Sequence, residues 1–382
     1  MKTNNKSIKR VFWIAGENSA DLHSSIILRE LNNENINIKN FGIGGKKMTA
    51  EGFRAIFPFE RFSVMGFIEI VKHITFFLNV EKRIKKIFKH NPPDLVVLVD
   101  YPGLNMRIAK IAKNLQIPVL YYIVPQFWAW KYKRIFKLQK YADHIAYILP
   151  FEGEHFKKHK ITASFTGHPI SEEIIIQCSK AEFAAKYNLD IKKKWLGFLP
   201  GSREAEITNM LPNFIKAIEL FDPAKYEFLI SKASSVSSNL LECYANKTKN
   251  QVHIIEDMNY DLMKHCDLLT ITSGTATVEA AYIGTPFIIV YKTSKISYQI
   301  GKKFVRIDQI GLPNLILNKH VVPELIQNDV NEIIIHQELN NLLSTSTNYD
   351  KMKAELKLIH NVLGSKKPSV IVSKIIRKFI NE

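Results

Sequence analysis

A glycine-centred turn in the second half of the chain carries residue types that suit nucleotide binding. The segment from Ile271 to Ala281 is typical of a strand end, a tight turn at Gly274 and the first turn of a helix, with Ser273 or Thr275 as the helix cap. Such a helix N-terminus presents backbone N–H groups and the positive end of a dipole, which together attract phosphate. The segment therefore predicts a phosphate or diphosphate site.

Glu279 extends this site along the helix. It lies four residues after Thr275, about one helical turn, so its carboxylate is expected to face the same cleft and to accept hydrogen bonds from ribose hydroxyls. A sugar nucleotide is the ligand that this arrangement favours. Because short glycine turns are weak motifs, the same residues also fit an ordinary turn between a strand and a helix, with Glu279 in solvent.

A second turn with the same chemistry follows the predicted strand Leu196–Leu199. Gly201, Ser202 and Arg203 stand at the start of the next helix, where backbone N–H groups have no partner within the helix. The Arg203 guanidinium adds a fork of N–H donors that can bind two phosphate oxygens. This turn is a second predicted phosphate cradle.

An aspartate ends the most apolar predicted strand. Leu95–Val99 is an unbroken apolar run, as in a central parallel strand buried on both faces, and Asp100 follows at its carboxyl end. That position is rigid and opens onto the ligand crevice of an open α/β sheet, so Asp100 suits a catalytic base. The alternative is that Asp100 only caps the next helix.

Polar residues also cluster after the first predicted strand, Val11–Ala15. Glu17, Ser19 and Asp21 follow its carboxyl end, the edge at which open α/β sheets place ligand contacts. A capped helix start explains Ser19 or Asp21 alone, but it does not explain the whole cluster.

Aromatic and basic residues alternate after the strand predicted at Val119–Val124, and Trp128 and Trp130 are among them. This mixture stacks on nucleobases in single-strand binders, and it also lines sugar and lipid sites. His168 lies between Gly and Pro on a predicted loop. Its place outside an apolar face favours a functional role.

Strands and helices alternate through most of the chain, which predicts an α/β fold. Further strands are predicted at Ile36–Ile43, His144–Leu149, Glu227–Ile230, Val252–Ile255, Leu268–Ile271 and Phe287–Val290. We predict two Rossmann-like, doubly wound domains, at residues 1–170 and 171–345, that face each other across a cleft. Residues 171–194 are predicted to be a polar segment and Ile310–Ile316 a loop. Residues 346–382 are predicted to form helices that pack on the N-terminal domain or on a partner subunit.

The composition is that of a globular protein, with 46% apolar residues over 382 positions. No apolar run approaches the roughly 20 residues that a membrane-spanning helix needs, and no signal peptide is recognisable, so we predict a cytoplasmic protein. The three cysteines, Cys178, Cys243 and Cys266, lack the spacing of a zinc site or a disulfide framework. A net charge of +17 favours anionic partners.

Residues 63–90 combine many apolar side chains with lysine and arginine. The pattern predicts one or two basic amphipathic helices that are more apolar than one core-facing stripe requires. A membrane-surface patch and a helix packed on the sheet both fit this pattern.

Several sequence blocks, in order along the chain, resemble the lipid A disaccharide synthases. The blocks are Ala15–Glu17 with Asp21–His23, Val64–Gly66, Asp100 after its strand, Trp128–Lys131, Leu149–Glu152, Gly167–Pro169, Leu199–Arg203 with Glu206–Ile207, Ser273–Thr275 with Glu279, and Leu312–Leu315. The resemblance implies a B-type glycosyltransferase (GT-B). Such an enzyme transfers 2,3-diacylglucosamine from UDP to the 6-hydroxyl of 2,3-diacylglucosamine 1-phosphate, with inversion at the anomeric carbon.

The resemblance also implies roles for individual residues. Asp100 matches the proposed general base, Asn314 matches a residue whose loss damages activity, and Glu17 joins them on the catalytic side. The nucleotide side is matched by Gly201, Ser202, Arg203, Ser273, Gly274, Thr275 and Glu279. The acceptor side is assigned to Ser19, Asp21, His23, Trp128, Trp130 and His168. His23 and His168 remain alternative bases.

The chain has no Asp-x-Asp pair of the kind that holds Mg²⁺ on a nucleotide diphosphate. We therefore predict that the reaction uses no metal and no cofactor, with backbone N–H groups and Arg203 in the metal's place. The resemblance implies a peripheral protein on the cytoplasmic face of the inner membrane, without a nucleic-acid partner, and it allows a homodimer.

Two other functions fit parts of the sequence. The same two-domain scaffold supports a UDP-N-acetylglucosamine transferase that acts on a lipid-linked muramyl acceptor, because a fold does not define a substrate. The positive charge and the aromatic loop also allow a nucleic-acid-binding protein. The basic residues are scattered, however, and no recognition module is present.

Overall fold

A computed structural model describes residues 8–34, 37–63, 74–233, 235–293, 298, 309–364 and 366–381. The chain forms two compact units, the first from Met1–Pro169 with Lys366–Glu382 and the second from Ile170–Ser365. Each unit is built on one parallel sheet with helices. The predicted α/β class with two doubly wound bodies is therefore confirmed.

The first unit has strands β1 (Lys9–Ala15), β2 (Ile38–Ile43), β3 (Arg54–Ala55), β4 (Leu95–Val99), β5 (Val119–Tyr122), β6 (His144–Tyr147) and β7 (Ala163–Phe165). Their order is β3-β2-β1-β4-β5-β6-β7, and all neighbours are parallel. The order reverses between β1 and β4, and ligands bind beside such a switch point.

Helices of the first unit are α1 (Asn18–Asn33), α2 (Lys46–Ala50), α3 (Glu60–Ser63), α4 (Ile74–His90), α5 (Pro102–Asn114), α6 (Phe127–Trp130), α7 (Arg134–Tyr141), α8 (Glu152–Lys158) and, at the end of the chain, α18 (Pro368–Asn381). The side chains of β4 are fully buried and alternate between two cores. Val96 and Leu98 join one core, and Val97 and Val99 join the other, to which α18 adds Val372, Ile376 and Ile380. A central strand buried on both faces is what the apolar run predicted.

The second unit has strands β8 (Lys194–Leu199), β9 (Tyr226–Lys232), β10 (Val252–Glu256), β11 (Leu268–Thr272), β12 (Phe287–Tyr291) and β13 (Glu324–Ile326), in the order β10-β9-β8-β11-β12-β13. Its helices are α9 (Ile170–Glu173), α10 (Lys180–Tyr187), α11 (Glu204–Glu219), α12 (Ser238–Ala245), α13 (Asn259–His265), α14 (Thr275–Ile283), α15 (Leu312–Leu317), α16 (Glu332–Ser344) and α17 (Ser346–Leu363). Buried Leu356, Ile359 and Leu363 of α17 belong to the core of this unit.

The segment predicted to be polar, residues 171–194, contains α10, which begins at a capping box in which Ser179 and Glu182 satisfy each other's backbone N–H groups. One local prediction is wrong. The predicted loop at Ile310–Ile316 contains α15, because a proline in its first turn suits a helix start and Asn314 is buried. The capping box was readable in the sequence, whereas the burial of Asn314 was not.

The structure describes part of the basic amphipathic segment at residues 63–90. Residues 64–73, which include Val64, Phe67 and Lys72, lie outside the described residues. Ser63 ends α3, and residues 74–90 form α4, which buries Val80, Ile84 and Phe88 in the core of the first unit, so this face of the helix packs on the sheet. Among the helices of the described ranges, none is long and apolar enough to cross a membrane.

Candidate active site

A strained turn places Asp100 at the end of β4. Asp100 and Tyr101 have φ angles of 46° and 45°, in the left-handed region that residues with a side chain rarely occupy. The Asn105 amide holds the turn by donating to the carbonyl oxygens of Val99 (3.1 Å) and Asp100 (2.7 Å), and the Tyr121 hydroxyl donates to the same Asp100 oxygen (2.9 Å). Strain that neighbours maintain in this way is common at functional sites.

The surroundings of Asp100 suit a proton acceptor. Burial, and then the nearby charge of Glu17, raises the pKa of Asp100 to about 7, whereas His23 and the Tyr101 N–H act in the opposite direction. A base is most effective when its pKa lies near the working pH. The turn that follows β4 therefore holds a carboxyl group that is ready to exchange protons at neutral pH. Tyr101, not Asp100, is the N-cap of α5, so the capping alternative for Asp100 is wrong.

Two histidines belong to the same edge of the first unit. His168 is buried, and burial followed by the charge of His23 lowers its pKa to about 3. The His168 imidazole is therefore neutral at physiological pH. The structure thus brings Glu17, His23, Asp100 and His168 close enough for their charges to affect one another.

The remaining residues of the first cluster differ in their environment. Ser19 is exposed in the first turn of α1. Asp21 is buried, and its carboxylate accepts the N–H groups of Gly45 (2.7 Å), Lys47 (3.0 Å) and Met48 (3.1 Å). Asp21 therefore caps α2 from another helix, an interaction across more than 20 residues that sequence spacing does not reveal.

The aromatic loop after β5 forms the short helix α6. The half-buried Trp128 donates its indole N–H to Glu152 Oε1 (3.2 Å) and packs edge-on against Phe151, with ring centroids 4.9 Å apart. Glu152 is only 1% exposed. The side chain of Trp130 lies outside the part of the structure that is described.

A cavity of about 370 Å³ lies at the carboxyl edge of the sheet in the second unit. Its lining includes every residue that was predicted for the nucleotide side, namely Gly201, Ser202, Arg203, Ser273, Gly274, Thr275 and Glu279. Sequence reasoning missed Asn259, Ser231 and Thr272, which also line it. The Asn259 Oδ1 and Thr272 Oγ1 atoms are buried without a hydrogen-bond partner, and unsatisfied polar atoms at a cavity suit a polar ligand.

The helix that begins at Thr275 differs from the prediction in its cap. Gly274 is the N-cap of α14, and no side chain caps the helix. Neither Ser273 nor Thr275 therefore has the predicted capping role, because the cap position falls on the residue without a side chain. Since the first N–H groups of a helix lack partners within it, this end of α14 is suited to an anion.

The second cradle already holds a carboxylate from its own chain. Glu206 Oε2 accepts the N–H groups of Ser202 (3.0 Å) and Arg203 (3.3 Å), and Glu206 Oε1 pairs with Arg203 Nη1 (2.8 Å). Gly201 has a φ of +115°, and a Cβ there would lie 2.5 Å from Glu206 Oε2, so only glycine fits. The donors predicted to bind phosphate are thus already arranged around a carboxylate, that of Glu206.

Glu279 lies half-buried on α14 and accepts a hydrogen bond from the Tyr260 hydroxyl at 3.4 Å. Burial, followed by the charge of Glu279, raises the pKa of Tyr260. This contact leaves the Glu279 carboxylate at the wall of the cavity, where the prediction placed it.

Asn314 is fully buried and its amide is saturated. Its Nδ2 donates to the Val322 oxygen (2.8 Å) and Glu324 Oε1 (2.7 Å), while its Oδ1 accepts the N–H groups of Val321 and Val322 (both 2.9 Å). Glu324 also accepts the N–H groups of Ile310 and Gly311. The structure therefore places Asn314 inside a polar network that fixes α15 to β13.

One cysteine has neighbours that sequence spacing could not indicate. Cys178, Asp261 and His265 place ligand-type atoms within 4.8 Å of one another, and they form the candidate metal cluster of the described ranges. Asp261 Oδ1 already accepts the N–H groups of Gln177 and Cys178, and His265 Nε2 lies 2.9 Å from the Cys178 oxygen. These hydrogen bonds explain why the three side chains lie together: Asp261 and His265 hold the loop before α10 in place.

Comparison with known proteins identifies the family. The sequence profile of the family described as Lipid-A-disaccharide synthetase matches residues 11–375. The chain belongs to this family. It is 34% identical over 377 residues to the lipid-A-disaccharide synthase of Geobacter metallireducens, covering 98% of both chains, and 34% identical over 354 residues to that of Nitrosococcus oceani, covering 92% of both.

Solved structures resemble the chain in fold alone. The UDP-GlcNAc 2-epimerase of Neisseria meningitidis bound to UDP-GlcNAc has a TM-score of 0.65 at 15% identity, with 97% of this chain and 99% of that chain covered. The calicheamicin glycosyltransferase CalG4 has a TM-score of 0.63 at 12% identity, with 98% and 99% covered. These likenesses agree with the GT-B fold of the lipid-A-disaccharide synthetase family.

Proposed function

We propose that the chain joins UDP-2,3-diacylglucosamine to 2,3-diacylglucosamine 1-phosphate, giving the disaccharide 1-phosphate of lipid A and UDP. Membership of the lipid-A-disaccharide synthetase family makes the chain a glycosyltransferase of lipid A biosynthesis. The observation that carries the chemical proposal is Asp100, a half-buried carboxyl group with a pKa of about 7 at the tip of a central strand.

The proposed reaction is a single displacement. Asp100 takes the proton of the acceptor 6-hydroxyl, the oxygen forms a bond to the anomeric carbon, and the bond from that carbon to UDP breaks. The departing diphosphate gains negative charge, which Arg203 and the N-terminus of α14 would stabilise. The domain of residues 1–170 would bind the acceptor, and that of residues 171–345 would bind the UDP donor.

The proposal is tested by incubating the purified protein with both substrates and detecting the disaccharide 1-phosphate by mass. Wild-type protein should form it, and Asp100→Ala should be slower by at least about 100-fold, the size of a general-base contribution. Equal rates would assign the base elsewhere, with His23 and His168 as the next candidates. The muramyl-lipid alternative is not favoured by the relatives' names, and a donor panel would support it only if unacylated UDP-N-acetylglucosamine served better.

We propose that this reaction needs no metal, because the chain has no Asp-x-Asp pair and the cavity of the second unit offers backbone N–H groups and Arg203 to the diphosphate. EDTA should leave the rate unchanged. A loss that Mg²⁺ restores would overturn this proposal.

We also propose that the enzyme works as a peripheral protein on the cytoplasmic face of the inner membrane. Support comes from its acylated proposed substrates, the net charge of +17 and the exposed Leu78 on the basic helix α4. The protein should float with vesicles that contain anionic lipid and remain behind with neutral vesicles. A homodimer stays a prediction, which sedimentation tests.

A further inference from the structure

A buried carboxyl group at the proposed acceptor side has no role in the reaction as described so far. Glu152 is the first residue of α8, after β6, and it is 1% exposed. Burying an acid is costly unless hydrogen bonds compensate it. Each oxygen of the Glu152 carboxyl group accepts a hydrogen bond: the Trp128 indole N–H donates to Oε1 and the Leu149 N–H donates to Oε2, both at 3.2 Å.

The topology places this pair beside the strained turn. Strands β4, β5 and β6 are neighbours in that order, and they lead into Asp100, the Trp128 helix and Glu152 respectively. Burial raises the pKa of Glu152 to about 8 against the Leu149, Trp128 and Ile148 donors, and the charge of Asp100 adds a smaller rise. Burial, followed by the charge of Glu152, raises the pKa of Tyr147.

We propose that Glu152 is a positioning residue that fixes the Trp128 indole as a wall of the acceptor site. The indole is held at its N–H by the carboxyl group and at its ring by Phe151, whose ring stands nearly perpendicular to it. A ring locked in this way presents one apolar face for a sugar ring to pack against, without loss of side-chain freedom on binding. Glu152 would act on the substrate only through Trp128. This inference rests on the proposed function.

A double-mutant cycle tests the coupling. Glu152→Gln cannot satisfy the donors on both carboxyl oxygens, because its NH₂ end would face an N–H group. It should raise the acceptor KM about tenfold, the effect of one lost buried hydrogen bond, with kcat and UDP affinity nearly unchanged. Trp128→Phe should have a similar effect, and the double variant should be no worse than the Trp128→Phe variant. Glu154→Gln, an exposed acid on the same helix, is the matched control and should behave as wild type.

A second readout needs no substrate. The tryptophan emission that is lost in Trp128→Phe should shift to longer wavelength in Glu152→Gln, because the released indole meets water. Additive KM effects, or an unchanged emission, would overturn the proposal. If the wild type formed no disaccharide, the proposed function would fail, whereas the emission shift would still decide whether Glu152 holds Trp128. If Glu152→Gln did not fold, Glu152→Asp would serve in its place, with a shift of the same sign.

Discussion

The carboxyl edges of the two sheets have the same topology and opposite chemistry. The edge of the first unit collects ionisable side chains away from water, and burial raises the pKa of Asp100 to about 7 and that of Glu152 to about 8. The edge of the second unit lines an open cavity with helix N-termini and with Arg203, whose side chain is 77% exposed. Proton transfer needs a carboxyl group made less acidic by burial, whereas diphosphate binding needs donors that a large anion can reach.

The largest expected effect comes from removing the acid of the first edge. Asp100→Asn keeps the size of the side chain and should lower kcat by about 10²- to 10⁴-fold, with UDP affinity unchanged because the donors for UDP lie in the second unit. The same variant should melt at a higher temperature at pH 8. The folded protein raises the pKa of Asp100 from 3.8 to about 7, so ionisation opposes folding as the pH rises through that window.

Thermal unfolding at pH 4 and pH 8 is the control for that variant. The stabilisation should be small at pH 4, where Asp100 is largely protonated in the folded state, and full above pH 7. If the Asp100→Asn variant kept its activity, or bound UDP more weakly, the assignment of proton transfer to the first edge and of UDP binding to the second would be contradicted.

The next largest effect concerns the support of the second edge. Asn314→Ala should lower the free energy of unfolding by about 2 to 4 kcal/mol, because it removes the side-chain partner of the Val321 and Val322 N–H groups and of the Val322 oxygen. Asn213→Ala, which removes one exposed hydrogen bond to Asn209, should cost far less. Urea unfolding measures both. Equal stability together with lost activity would instead give Asn314 a direct catalytic role.

Charge changes in the phosphate cradle should alter affinity without altering proton transfer. Arg203→Ala should weaken UDP binding about tenfold, as expected for a charge-assisted contact to phosphate. Glu206→Gln should strengthen UDP binding about threefold, because the internal carboxylate that the diphosphate must displace is gone. Glu204→Gln is the control, since it removes the same charge from an exposed neighbour on α11. Titration calorimetry would contradict this account if Glu206→Gln bound UDP more weakly than Glu204→Gln.

The sequence predicted those features that depend on local pattern. The apolar run Leu95–Val99 predicted a central strand and thereby the position of Asp100 at its carboxyl tip, and the glycine turns predicted both cradles. It could not predict which polar side chains serve the fold itself. Asp21 has the residue type and the position of a ligand contact, but in the structure its carboxylate accepts the N–H groups of Gly45 and Met48. Likewise Glu152, the hydrogen-bond partner of Trp128, lies 24 positions away along the chain. Such pairings depend on tertiary contacts, and a periodic pattern carries no information about them.

The same limit applies within one turn of helix. In the sequence, Glu206 is one of two acidic residues in the first turn of the helix that follows Arg203. Only the coordinates show its carboxylate against the N–H groups of Ser202 and Arg203 at the wall of the cavity. Short-range spacing therefore predicted where an anion would bind. That the Glu206 carboxylate occupies this position could be learned only from its side-chain conformation.

The smallest expected effect concerns how the first edge sets its pKa. Activity should fall as the pH drops through about 7, because Asp100 accepts a proton only when it is ionised. Glu17 raises the pKa of Asp100 and His23 lowers it, so Glu17→Gln should move this midpoint to lower pH and His23→Gln should move it to higher pH. The Glu30→Gln variant, on the same helix α1, should leave it in place. The midpoint does not depend on the maximal rate, so it reports the electrostatics even if Glu17 also contacts substrate. Midpoints that stayed in place would show that burial alone sets the pKa, and midpoints that moved together or in the reverse directions would show that Asp100 is not the titrating base.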